Sequence, residues 1–141
     1  MRFENEFNLS REQKAIEKFC SKFKFTFKKL GPNDIDFQVF DSNSTTNPIC
    51  FVEVKGRHRM MENAYPLPVA VRKLHKLQGD VIPRKNPVII WACDDGIIYG
   101  SVKKLNGEIR LGGRKKREGS TNDVELMAYY DKQKDLHHEQ Y

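Results

Sequence analysis

Ile49-Cys50-Phe51-Val52-Glu53-Val54-Lys55 is the stretch on which the fold turns, because it is apolar almost throughout and then carries an acid and a lysine. Seven such residues, too few for a helix and rich in β-branched and aromatic side chains, predict a strand buried on both faces near the middle of a sheet. Gly56 ends it. On a strand, positions i and i+2 project from the same face, so Glu53 and Lys55 stand about 6.5 Å apart on one side. Two charges at the end of a buried strand are costly unless they are paired, hydrated or used.

An acid-x-Lys tripeptide is by itself no evidence, since a chain of this composition holds about two by chance. The second, Glu12-Gln13-Lys14, falls on a polar helix and reads as an ordinary solvated pair. Context separates the two. Upstream, Ile35-Asp36-Phe37-Gln38-Val39-Phe40 alternates, with Ile35, Phe37 and Val39 on one face and Asp36 and Gln38 on the other. The polar segment from Asp41 to Pro48 is short enough to join this strand to the next as a hairpin. Antiparallel pairing would then bring the Asp36 and Glu53 carboxylates together. Such a pair repels unless neutralised, and a divalent cation is the usual solution. Oxygen donors without clustered Cys or His favour Mg²⁺ or Mn²⁺ over zinc. Asp34 shares a face with Asp36 and competes as a ligand, although a turn role after Pro32-Asn33 also accounts for it. A half-buried salt bridge at a strand end is the alternative account of Glu53 and Lys55.

The remaining segments fill in around this pair. Ser10 to Phe23 is predicted as an amphipathic helix capped by Ser10, with Ile16, Phe19, Cys20 and Phe23 inward. Phe25 and Phe27 alternate as a strand, and Leu30 to Asp34 turns. A second helix is expected at about residues 69–78, with Val71, Leu74 and Leu77 or Gln78 inward and Arg72, Lys73 and Lys76 on the opposite face. Pro87 to Cys93 is a buried strand, Asp94-Asp95-Gly96 a hairpin turn into Ile97 to Val102, and Asn106-Gly107 a further turn into Glu108 to Leu111. Ser120-Thr121-Asn122-Asp123 has the form of a capping box and predicts a short final helix. The expectation is a single domain over residues 1–141, with a core at about 10–112 and a basic loop and polar tail at 113–141.

Composition sets the outer limits. The 141 residues are 38% hydrophobic and 31% charged with a net charge of +6, as in a globular protein attracted to acidic partners, nucleic acid first among them. Neither a membrane-spanning apolar run nor a leader of signal-peptide form is found, so an intracellular, cytoplasmic protein is expected. Cys20, Cys50 and Cys93 sit in apolar surroundings without zinc-site spacing and read as buried thiols.

Pro32-Asn33-Asp34-Ile35-Asp36 followed by Phe51-Val52-Glu53-Val54-Lys55-Gly56 resembles the motif of PD-(D/E)XK nucleases, the superfamily of restriction enzymes, Holliday-junction resolvases and many phage nucleases. The resemblance spans about residues 10–100. It implies an α/β (α+β) fold with a restriction-endonuclease-like αβββαβ core, a mixed central sheet flanked by helices, and here a C-terminal β-hairpin and short helix. It also implies a Mg²⁺-dependent deoxyribonuclease in which Asp36, Glu53 and the Val54 carbonyl hold the metal and Lys55 is the catalytic lysine. Asn33 interrupts the Pro-Asp pair, which leaves the choice between Asp34 and Asp36 open. Members of that superfamily often add an acid from the first helix; Glu17 is the natural candidate, with Glu12 a substitute. Some use the second core helix, where Lys73 and Gln78 lie. DNA contacts are expected from Arg57, His58 and Arg59, from Arg72, Lys73 and Lys76, and from Arg114, Lys115, Lys116 and Arg117. One small active site cuts one strand, so a double-strand cut would call for a homodimer or two events. The rival reading is a non-catalytic basic nucleic-acid-binding domain.

Overall fold

A computed structural model of the chain describes residues 6–31, 36–41, 46–79, 83–112 and 124–141, with side chains described from residue 10 onward. Among the described residues two helices and nine strands follow in the order α1 (Glu6–Phe23), β1 (Phe25–Lys29), β2 (Phe37–Asp41), β3 (Pro48–Gly56), β4 (Leu67–Ala70), α2 (Val71–Gln78), β5 (Pro87–Ala92), β6 (Gly96–Ser101), β7 (Glu108–Gly112), β8 (Glu125–Tyr130) and β9 (His137–Gln140). Single helical turns at Met61–Asn63 and Val102–Lys104 punctuate the loops.

Six strands form the central sheet in the order β1-β2-β3-β5-β6-β9. The β3–β5 pair is parallel and its neighbours are antiparallel, so the sheet is mixed. As its apolar run demands, β3 lies inside the sheet, between β2 and β5. Alternation sends Cys50, Val52 and Val54 to one face, where they meet Ala15, Ile16, Phe19 and Cys20 of α1. Phe51 goes to the other face, into a second cluster with Ile89, Trp91, Leu77, Leu67 and Tyr130. A smaller sheet, β4-β8-β7, closes that second cluster. Trp91 ties the two sheets together: its indole N–H donates to the Pro68 carbonyl at 2.8 Å and its ring meets Tyr130 edge-on at 5.7 Å.

Several expectations change at their edges. Helix α1 begins at Glu6, so Ser10 is an exposed position inside it rather than its cap. Val69, expected in the second helix, belongs to β4 and pairs with Ala128. A strand therefore stands between β3 and α2 that the expected core order did not contain. The short final helix was expected to open at Ser120 to Asp123, which lie outside the described residues; Glu125 to Tyr130 are a strand despite their helix-forming Glu, Leu, Met and Ala, because pairing with β4 on one side and β7 on the other overrides local propensity. The expected polar tail supplies β9 at the sheet edge and buries Ala128, Tyr130 and Leu136. The close approach of β9 explains Gly96, where a Cβ would collide with the Glu139 backbone carbonyl. Among the described residues no helix is long and apolar enough to cross a membrane.

Candidate active site

Strands β2 and β3 run antiparallel with Phe37 opposite Val52 and Gln38 opposite Phe51. Continued by one residue, that register sets Asp36 against Glu53, and the hydrogen bonds agree. The Val54 amide donates to Asp36 Oδ2 at 2.6 Å, and the Asp36 and Glu53 carboxyl groups lie within hydrogen-bonding reach of each other. Asp36 is further held through its own carbonyl, which accepts from the Leu30 amide at 3.0 Å. The spatial expectation for these two acids is therefore met.

The pair is electrostatically unusual. Glu53 is 6% exposed and is the only charged side chain that is buried among the described residues. Desolvation and the neighbouring Asp36 charge push its carboxyl up to about 7. Burial also raises Asp36, while the Val54 amide, the Glu53 hydrogen bond, Lys73 and Lys29 pull it back. With both groups ionised, Glu53 Oε2 is buried and has no donor among the described residues. A proton between the two carboxyls, or a cation, would satisfy it.

Two lysines stand near this pair in different ways. Lys73, from α2, places its Nζ 3.4 Å from Glu53 Oε1 and partly neutralises the site. Lys55 leaves β3 on the same face as Glu53 and is exposed, forming no ion pair among the described residues. Its parallel-register partner is Trp91, the residue that anchors the second sheet. The expected basic face of α2 is thus divided: Lys73 turns to Glu53, Arg72 pairs with Glu125 at 2.9 Å, and Lys76 is half-buried.

The two candidate acids of the first helix separate. Glu17 is exposed and accepts from Gln13 Nε2 at 2.8 Å. Glu12 instead tucks its Oε2 inward, 3.8 Å from Lys29 Nζ, and the Lys29 charge reaches Asp36. Helical phase carried that signal, since Glu12 shares its stripe with Ile16, Phe19 and Phe23. Arg11 secures this end of α1 by donating to the Ala92 carbonyl at 3.0 Å and pairing with Asp94 at 2.8 Å.

Beyond β3 the basic residues also separate. Arg57 is committed to the fold: its Nε donates to the Ala64 carbonyl at 2.9 Å and its terminal nitrogen reaches the Pro66 carbonyl. Arg59 and His58 are both exposed along the same loop. Gln78 ends α2 and its carbonyl accepts from the Arg84 amide at 2.8 Å. Asp34 and the Arg114, Lys115, Lys116 and Arg117 cluster lie outside the described residues. The three cysteines are buried thiols, pushed up to about 12 at Cys20 and Cys50 and about 11 at Cys93 by desolvation.

The donor set suits a small hard cation. Among the described residues no group of three or more His, Cys, Asp or Glu converges, so Asp36 and Glu53 would be joined by a backbone carbonyl and water. Mg²⁺ tolerates this well, since it gives up its water reluctantly and is commonly held by one or two carboxylates. The family model described as "Phage putative PDDEXK endonuclease" matches residues 1–136 of the chain. Neither the curated proteins nor the solved structures yielded a match.

Proposed function

From the premise that this chain belongs to the phage PDDEXK endonuclease family, we propose that it hydrolyses phosphodiester bonds in DNA at the Asp36, Glu53 and Lys55 cluster, with Mg²⁺ or Mn²⁺ as its metal. The observation that carries this reading is the buried Asp36–Glu53 pair with its donorless Oε2, an arrangement stable only with a proton, Lys73 or a cation between or beside the two groups.

Asp36 and Glu53 would hold the ion together with the Val54 carbonyl, while the Val54 amide keeps Asp36 in place. When bound, the ion would supply a Lewis acid for the scissile phosphate and a more acidic attacking water. Lys55, exposed on the same face, would stabilise charge developing on the phosphate. Lys73, 3.4 Å from Glu53 Oε1, would share that carboxylate with the ion or turn its ammonium toward the same phosphate. Lys29, paired with Glu12, adds its positive charge to the field at Asp36. Arg59, His58 and Arg114 to Arg117 would touch the sugar-phosphate backbone with little sequence preference. A double-strand cut would need two copies of the site, in a homodimer or in successive events.

The test is incubation of purified protein with supercoiled, linear, single-stranded and four-way-junction DNA, with and without Mg²⁺ or Mn²⁺. Cleavage of at least one substrate only with a divalent ion is expected. Binding that ignores the ion, without cleavage of any substrate, would instead favour a non-catalytic nucleic-acid-binding domain.

A further inference from the structure

Next to the carboxylate pair, on the same face of the sheet, lies a cavity of about 520 Å³ whose walls include Leu30, Gln38, Phe51, Pro83, Arg84 and Lys85. Its floor is the β2–β3 ladder, where Gln38 pairs with Phe51. Gln38 is two residues from Asp36 and Phe51 two residues from Glu53, so the floor begins one pleat repeat, about 6.5 Å, from the two acids. Leu30, in the wall, is the residue whose amide bonds the Asp36 carbonyl. Arg84 is fixed above by its bond to the end of α2, and its guanidinium carbon stands 5.3 Å from the Phe51 ring centre.

We propose that this cavity is a nucleobase subsite that receives one unpaired base beside the scissile phosphate, and that the substrate is accordingly DNA with an unpaired or readily extruded base at the cut. The proposal rests on the hydrolase reading above for its place in the reaction, and on its own geometry for the ligand. Its volume lies within the range of small-molecule sites, about 300–1,000 Å³. An aromatic ring with a guanidinium over it is the kind of flat, polarisable surface on which any base stacks. The Gln38 amide offers two donors and one acceptor for a base edge, and Lys85, exposed at the mouth, offers a cation for the phosphate that accompanies the base. A base inside intact duplex would first have to be unstacked and unpaired, which disfavours duplex relative to single strands, flaps and junctions.

The test is fluorescence anisotropy in EDTA at about 0.15 M salt, comparing a labelled 12-nucleotide oligothymidylate with an abasic strand of the same length and phosphate count. Wild-type protein should bind the base-bearing strand about tenfold or more tightly. Phe51→Leu, which keeps an apolar wall but removes the ring, should lose that preference while melting close to the wild type. Arg84→Ala should lose the preference and some affinity for both strands. Equal binding of the two strands by the wild type, or a preference that survives in both variants, would overturn the proposal. A chain that cleaves DNA with Mg²⁺ yet binds both strands equally would refute the subsite and keep the hydrolase. One that shows the Phe51- and Arg84-dependent preference but cleaves nothing would keep the subsite and refute the hydrolase.

Discussion

Replacing Glu53 with glutamine should stabilise the metal-free protein at alkaline pH, the reverse of the usual effect of changing a buried group. In the folded chain Glu53 is pushed from 4.5 up to about 7, by burial first and Asp36 second. The native state therefore binds a proton more tightly than the unfolded chain does, and stability falls as pH rises from about 4.5 to 7. A displacement of this size is worth on the order of 3 kcal/mol, all of it a cost above pH 7. Glutamine mimics the protonated acid: it has nearly the same shape and can still donate to Asp36, but it carries no charge. Thermal melts in EDTA from pH 4.5 to 8 should thus nearly coincide at the acid end and separate upward. At pH 8 Glu53→Gln should melt higher by several degrees, up to about 10 °C, at roughly 3 °C per kcal/mol for a chain of this length. His138 acts with the opposite sign, because desolvation lowers its pKa and the folded state binds its proton less tightly. That contribution is common to both proteins and cancels in the difference. A variant that melts below the wild type at pH 8, or a difference that does not change with pH, would refute this reasoning.

Other consequences follow from the same geometry. Lys55→Ala should lower divalent-dependent cleavage by about 10²-fold or more while leaving DNA binding within a few-fold, read from initial rates and anisotropy. Leu77→Ala, at a fully buried position of α2 facing the second sheet, should cost about 2–5 kcal/mol in urea unfolding. Replacing Arg114, Lys115, Lys116 and Arg117 with glutamine should flatten the dependence of DNA affinity on salt, the slope changing by about 0.9 for each phosphate that is no longer neutralised.

The central strand and its charges were readable because burial on both faces leaves a distinctive apolar run, and because alternation fixes the side on which Glu53 and Lys55 emerge. Asp36 was readable by the same rule, since β2 turns Phe37 and Val39 toward α1 and so leaves Asp36 and Gln38 on the Glu53 side. The role of Lys73 was not. A lysine on a short helix looks solvated until the sheet beneath it is known to carry an uncompensated acid. Glu17 was preferred to Glu12 because it stands beside the Ile16 stripe, whereas the phase of α1 turns Glu12 toward Lys29. β4 went unseen because Leu67 to Ala70 runs straight into α2 without a turn signal, and its strand partner β8 is more than fifty residues away. A long separation also hid β9, whose sequence His137-His138-Glu139-Gln140 has no apolar alternation and is a strand through pairing with β6.

Binding of Mn²⁺ measured by electron paramagnetic resonance at pH 8, in the wild type and in Asp36→Asn, tests most directly the idea on which the rest depends. The account predicts Mn²⁺ bound at the Asp36–Glu53 pair of the wild type, displaced by Mg²⁺ and lost in Asp36→Asn. Absence of bound Mn²⁺ in the wild type, or equal binding in the variant, would contradict it.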